Sequence, residues 1–187
     1  MEDPGTGRGL RVEFLAVFDD ERTFRAWYEH ALPKVFGFLF DRCGGVRDVA
    51  EELTQETFLE AVRSRHRFDG RSDPVTWLCA IAGHKLIDHW RRLNREEHRR
   101  LRLVAARSPV EQEERAFVGA EDRETVLRTL RSLPTQQQAA LVLHHLDGLS
   151  VAEVAKRLTK SESAVESLLS RGREGFRRAL ALEGDQR

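Results

Sequence analysis

From Phe14 onward the apolar residues recur at intervals of three and four, the period of a helix with one buried face. Alternating segments flanked by Asn-Gly or Asp-Gly turns are missing and β-branched residues are sparse, so the chain is confined to an all-α fold. One helix is expected from about Asp20 to Arg42, with Phe24, Trp27, Tyr28, Leu32, Val35, Phe36 and Leu39 on its apolar side. Pro33 should kink or split it, and Cys43-Gly44-Gly45 should stop it. Asp48 can cap the next helix with Glu51 as its capping-box partner, and Val49, Leu53, Phe58, Leu59 and Val62 follow as apolar positions. Phe68 to Pro74 is turn chemistry and reads as a loop. Val75 to Leu93 is then a strong helix, with Trp77, Leu78, Ile81, Leu86, Ile87 and Trp90 as core candidates.

The two ends of this helical block read differently. Met1 to about Glu13 is rich in glycine and polar groups, the composition of a frayed tail. Asn94 to Thr125 has weak periodicity, one proline and an acidic cluster, the composition of a flexible linker. Beyond it, Pro134 fits the first position of a helix reaching about Leu146, which Asp147-Gly148 ends. The expected division is an N-terminal tail over 1–19, a helical domain over 20–93, a linker over 94–125 and a second helical domain over 126–183.

The second domain holds "SVAEVAKRLTKSESAVESLLSRGR", two short amphipathic segments joined by a few polar residues. Ser150 and Glu153 form a capping box, and Val151, Val154, Ala155 and Leu158 make one apolar stripe. Thr159 and Lys160 form the turn, and Ser161 can cap the second segment. There Val165, Leu168, Leu169, Gly172, Phe176 and Leu180 point inward, with Gly172 allowing close approach. The face left over is Glu162, Ser163, Glu166, Ser167, Ser170, Arg171, Arg173, Glu174 and Arg177. It is short and polar in its first half and basic in its second, as in a recognition helix that meets base edges first and phosphates beside them. Glu166 can accept from the exocyclic amine of cytosine, with Arg171 and Arg173 offsetting phosphate repulsion. A plain αα-hairpin with a solvated face has the same spacing.

Net charge is zero, so the whole chain has no preferred sign of partner. The distribution is uneven. His84 to Arg107 has eight Lys/Arg against three acids, Ser108 to Thr125 six acids against two arginines, and Lys156 to Arg178 seven basic residues against three acids. Two basic zones therefore flank an acidic one, a pattern that the neutral average hides. Cys43 and Cys79 make no disulfide framework and read as reduced, buried thiols. No signal peptide and no apolar run approaching a membrane span is present, so a soluble, cytoplasmic protein without membrane insertion is expected. His84 and His89 diverge on a helix, His144 and His145 are adjacent, and no HExxH, phosphate loop or dinucleotide fingerprint occurs. No catalytic residue, metal or cofactor is expected.

Taken together, these stretches resemble the extracytoplasmic-function (ECF) sigma factors, the two-domain members of the sigma-70 family. "DVAEELTQETFLEAV" resembles region 2.2, "RFDGRSDPVTWL" region 2.3 and "AIAGHKLIDHWRR" region 2.4. "LPTQQQAALVLHHLDGLSVAEVAKRLTKSESAVESLLSRGREGFRRAL" resembles region 4. The resemblance implies a protein that binds bacterial core RNA polymerase, through its β′ and β subunits, and promoter DNA, and that is held inactive by an anti-sigma factor. Glu52, Gln55 and Glu56 match the surface that docks on a coiled coil of β′. For the −10 element the matching positions are Arg67, Arg71, Lys85, His89, Arg91 and Arg92 toward the backbone, with Asp69, Gly70, Ser72 and Asp73 lining a base pocket. For the −35 element they are Ser163, Glu166, Ser167, Ser170, Arg171 and Arg173. Trp77 and Trp90 could stack on bases, but their helical spacing with Leu78, Ile81 and Ile87 favours core. The chain departs from the family in Gly83-His84, where Arg-Asn is frequent, in Glu166, where Lys or Arg is frequent, and in Leu168, where Arg is frequent. The linker suffices to join two DNA elements two helical turns (~70 Å) apart, since over thirty extended residues span ~100 Å. Its acids Glu111, Glu113 and Glu114 could mimic nucleic acid in a basic channel of the polymerase. The rival is a helix-turn-helix regulator that acts on duplex DNA without core polymerase.

Overall fold

In the computed structural model of the protein, residues 4–103 and 121–184 are described, and every regular element among them is helical. In order these are α1 (Pro4–Ala16), α2 (Glu21–Arg42), α3 (Arg47–Ser64), a 3-10 turn (Arg65–Arg67), α4 (Pro74–Leu103), α5 (Glu121–Arg131), α6 (Thr135–Leu141), a π-helical turn (Val142–Leu146), α7 (Val151–Leu158) and α8 (Glu162–Gly184). Packing divides the chain into two units, Met1–Leu86 and Ile87–Arg187. The acidic run Glu111, Glu113 and Glu114 lies outside the described residues.

The first unit is built on rings. Phe14 of α1 is only 2% exposed and meets Trp27, Phe68 and Trp77 at centroid distances of 5.5, 4.6 and 5.5 Å. The stretch expected to be a frayed tail is thus helix from Pro4, although Gly5, Gly7 and Gly9 each disfavour helix by ~1 kcal/mol. Burying one large ring returns ~1.5–3 kcal/mol, which offsets most of that cost, and half-buried Leu10 and Phe18 add to it, so the helix forms where Phe14 has a place in the core. Asp20 caps α2, accepting from the N–H and the hydroxyl of Thr23 at 2.8 and 2.7 Å. Contrary to expectation, Pro33 does not split this helix. Pro33 lies on an exposed face, where the carbonyl it leaves unbonded can meet water, while Ala31, Val35 and Leu39 are fully buried on the other side. The helix stops at a Schellman pair, Gly45 N–H to Phe40 O at 2.9 Å and Gly44 N–H to Asp41 O at 3.4 Å. Gly44 has a φ of 66°, the left-handed conformation that this motif requires.

Two expectations for α3 fail. Its N-cap is Val46, not Asp48, and Glu51 pairs with Arg47 at 2.7 Å instead of closing a capping box. An i,i+4 ion pair takes the carboxylate that the box needed. Leu59 is 58% exposed, because the core side of α3 is completed by Ala50, Leu53, Thr54, Thr57, Phe58 and Ala61. The two buried threonines return their hydroxyls to Ala50 O and Leu53 O at 2.6 and 2.7 Å, so neither leaves a polar atom stranded.

In the second unit α5, α6 and α7 all pack on α8. Leu141, Val154, Val165, Leu168 and Leu169 are buried there. A Cβ on Gly172 would lie 3.2 Å from two carbons of Leu141, so this glycine lets α6 approach α8 as expected. Leu180 is 39% exposed and does not belong to that core, which ends before the last turns of α8. Thr159, left-handed at φ 57°, makes the turn between α7 and α8, and Ser161 Oγ accepts from Ala164 N–H at 3.2 Å.

The Ser150–Glu153 capping box is present in full: Ser150 N–H and hydroxyl donate to the Glu153 carboxylate at 2.9 and 2.7 Å, and Glu153 N–H donates to Ser150 Oγ at 3.3 Å. These hydrogen bonds from Ser150 hold the Glu153 carboxyl below its usual range. A depressed folded pKa stabilises above the unfolded value and is lost as pH falls through the folded one. Acid titration followed by thermal melting should therefore lower the melting temperature of wild type more than that of Glu153→Gln between neutral and acidic pH. Parallel curves would mean that the box carries no charge-dependent stability.

Candidate polymerase and nucleic-acid interfaces

Glu52, Gln55 and Glu56 occupy one side of α3, at the i, i+3, i+4 spacing that puts side chains in a row. Glu52 and Gln55 are exposed and Glu56 is half-buried. Leu59 continues the row one turn on, so an apolar side chain stands in solvent beside two carboxylates.

The loop after α3 is pinned from below by Phe68, which is fully buried against Phe14 and Trp77. Above this anchor Asp69 accepts from the N–H of Arg71 at 3.0 Å and lies 3.7 Å from its guanidinium. Asp73 accepts from Val75 N–H at 2.8 Å and caps α4, with Pro74 in the first helical position. Arg67, Asp69 and Arg71 are exposed and Ser72 is half-buried, but Gly70 is buried, with φ 77°. In this arrangement Gly70 is a buried support of the loop and not an open pocket wall.

The remaining candidates for the −10 element lie along α4. Lys85 is half-buried, 3.7 Å from Glu60. In the second unit Arg91 pairs with Asp88 at 3.2 Å, and Arg92 Nη2 lies 3.2 Å from His89 Nδ1. Trp90 is buried, and Trp77 sits edge-on to Phe14 and Phe68 at 5.5 Å, so both indoles serve packing.

On α8 all six −35 candidates, Ser163, Glu166, Ser167, Ser170, Arg171 and Arg173, are exposed, opposite buried Val165, Leu168, Leu169 and Gly172. The capped α7–turn–α8 pair thus presents them on a single free helix face. Arg171 Nε donates to Ser167 O at 3.2 Å, which leans the guanidinium back toward the polar half of that face. Behind it, His144 Nδ1 lies 2.7 Å from Leu149 O. Burial, followed by the charges of His144 and Arg173, holds the His145 pKa below its usual value. Cys43 is a free, buried thiol with its pKa pushed up to about 12, so it stays protonated at neutral pH. Among the described residues no group of three or more His, Cys, Asp or Glu is placed to hold a metal, and no helix is long and apolar enough to cross a membrane.

Two known family domains match the chain, the first of them running ten residues past the end of the first unit. A Sigma-70 region 2 model matches residues 27–96, and a Sigma-70, region 4 model matches residues 123–174. The chain is 30% identical over 181 residues to the ECF RNA polymerase sigma factor BldN of Streptomyces coelicolor, covering 95% of this chain and 68% of that one. The chain belongs to the ECF sigma factors of the sigma-70 family. It is also 37% identical over 127 residues to the ECF sigma factor SigC of Mycobacterium tuberculosis, across 68% of each chain. To SigX of Bacillus subtilis, another ECF sigma factor, it is 29% identical over 170 residues, 87% of this chain and 86% of that one. As an ECF sigma factor it is a transcription initiation factor. Two features of this ECF sigma factor had escaped sequence reasoning: the burial of Gly70 and the helix that causes it. A repeat of Gly7, Arg11, Phe14 and Phe18 at helical spacing was the available clue.

Proposed function

We propose that this ECF sigma factor recruits core RNA polymerase through the α3 face of Glu52, Gln55 and Glu56, reads the −35 element with α8, and opens the −10 element with the Arg67–Asp73 loop and the basic side of α4. Domain roles follow the expected limits, 20–93 for core binding and −10 opening and 126–183 for the −35 element, with the join between them. Partners are the β′ and β subunits, promoter DNA in the cytoplasm and an anti-sigma factor. The observation that carries this reading is the free face of α8, which is short and polar at its start and basic further on, on a helix braced by a turn and a capping box. Base edges accept such a face only if its first turns are slim, and phosphates beside the groove favour the arginines that follow. Glu166 within that face favours cytosine amines at its position.

Run-off transcription with core polymerase on a pool of promoters tests the reading and returns both DNA elements together. Arg171→Ala should weaken initiation from −35-dependent templates and lower the salt slope of promoter binding by ~1, the loss of about one phosphate contact, with core binding unchanged. An unaltered slope would remove Arg171 from the interface. The rival, a regulator working without polymerase, requires tight duplex binding by the isolated protein; weak binding alone together with programmed initiation rules it out.

A further inference from the structure

Helix α1 precedes the stretch 27–96 matched by the region 2 model, yet it rests on the loop assigned above to the −10 element. Three residues at helical spacing make the attachment. Gly7 lies over Gly70, Arg11 donates to the carbonyl of His66 at 3.2 Å, and Phe14 enters the ring cluster with Phe68. The approach at Gly70 is tight: a Cβ there would sit 1.9 Å from the carbonyl oxygen of Gly7 and 3.1 Å from Arg11 N. Lack of space and the left-handed backbone both demand glycine at this position. The loop is therefore held from two sides, by Phe68 inside the core and by the α1 backbone against Gly70.

Charge gathers at this junction. Arg8 is exposed one residue beyond Gly7, and Arg11 is exposed, with one of its several N–H donors engaged by His66 O. Arg67 and Arg71 are exposed on the loop itself. Of the loop acids, Asp69 lies beside Arg71 and Asp73 caps α4. The net surface is cationic, which suits a phosphodiester backbone.

We propose that α1 is a working wall of the strand-opening surface: Gly7 and Arg11 position the loop from Arg65 to Asp73, and Arg8, with Arg67 and Arg71, takes the phosphates of the opened single strand. This rests on the proposed role of the loop at the −10 element and adds α1 to it. Holding the loop before DNA arrives avoids ordering it at the moment of opening.

The test uses the full-length chain with core polymerase on a promoter recovered by the run-off pool, reading thymine reactivity to permanganate as the measure of opening. If the wild-type protein opens no promoter in the pool, the functional reading itself fails. Where wild type opens DNA, Arg8→Ala should reduce opening and lower the salt slope of complex retention by ~0.7, one single-strand phosphate contact. Gly70→Asn keeps a residue that tolerates left-handed backbone but drives a Cβ into Gly7; opening should fall ~10- to 100-fold, as for a positioning contact displaced by about an ångström, while core affinity stays at the wild-type value. Wild-type opening and slope in Arg8→Ala overturn the phosphate role, whatever Gly70→Asn does. Wild-type opening in Gly70→Asn overturns the positioning role.

Discussion

Gln55→Ala combined with Glu56→Ala is expected to cut the affinity for core RNA polymerase by ~30-fold or more. Removing the charged partner of a contact that becomes buried in a complex costs ~2–5 kcal/mol, and each 1.4 kcal/mol is about a factor of ten. Neither residue supports the fold: the core side of α3 is formed by Ala50, Leu53, Thr54, Thr57, Phe58 and Ala61. Melting temperature should therefore be retained while association is lost. Leu59 stands in the same row and would meet the partner's apolar stem, so a helix with basic and apolar residues at matching spacing is the surface that fits. Titration of labelled protein with core polymerase, beside Arg171→Ala as a variant of the other unit, decides the matter. Wild-type affinity in the double variant would remove α3 from the docking surface; equal losses in both variants would undo the division of labour between the units.

The second large effect is on stability. Phe68→Ala should lower the unfolding free energy of the first unit by ~3–5 kcal/mol, the usual cost of truncating a buried aromatic ring. Phe68 is fully buried, 4.6 Å from Phe14 and 5.5 Å from Trp77 between ring centroids, so α1, the loop and α4 all meet on it. Phe68→Leu keeps most of the apolar volume and should cost under ~1.5 kcal/mol. Urea unfolding followed by tryptophan fluorescence reads both variants, since Trp77 and Trp27 report on the same cluster. A loss below ~1 kcal/mol for the alanine variant would show that the surrounding rings collapse into the space and that the loop is not anchored by Phe68.

Local rules carried much of the structure. The three-and-four spacing confined the chain to helices, and short-range chemistry placed the cap at Ser150, the stop at Gly44 and Gly45, the cap at Ser161 and the close approach at Gly172. Each depends on residues within one or two turns, or on a missing side chain, and both are visible in the letters. The exposed face of α8 was legible for the same reason, because assigning its buried stripe leaves the remainder in solvent.

What the letters left open depends on neighbours distant in the chain. Whether Leu59 faces core or solvent turns on how wide the covered stripe of α3 is, and small buried Ala50, Thr54 and Ala61 already fill it. Asp48 is not the cap because α3 begins one residue earlier, at Arg47, where Glu51 pairs with that arginine instead of closing a box. Pro33 stayed inside one helix because its carbonyl defect faces water while the opposite side is packed. Helix α4 runs to Leu103, ten residues past its expected end, and α5 begins at Glu121, so both ends of the expected linker are helical. Sequence by itself determined the helical class, the order of the two units and the outward face of α8, because those follow from periodicity and local hydrogen bonding. Only the tertiary structure decided that Phe14 draws a glycine-rich segment into a helix and lays Gly7 across Gly70, because that outcome depends on burying one ring among partners up to 63 residues away in the chain.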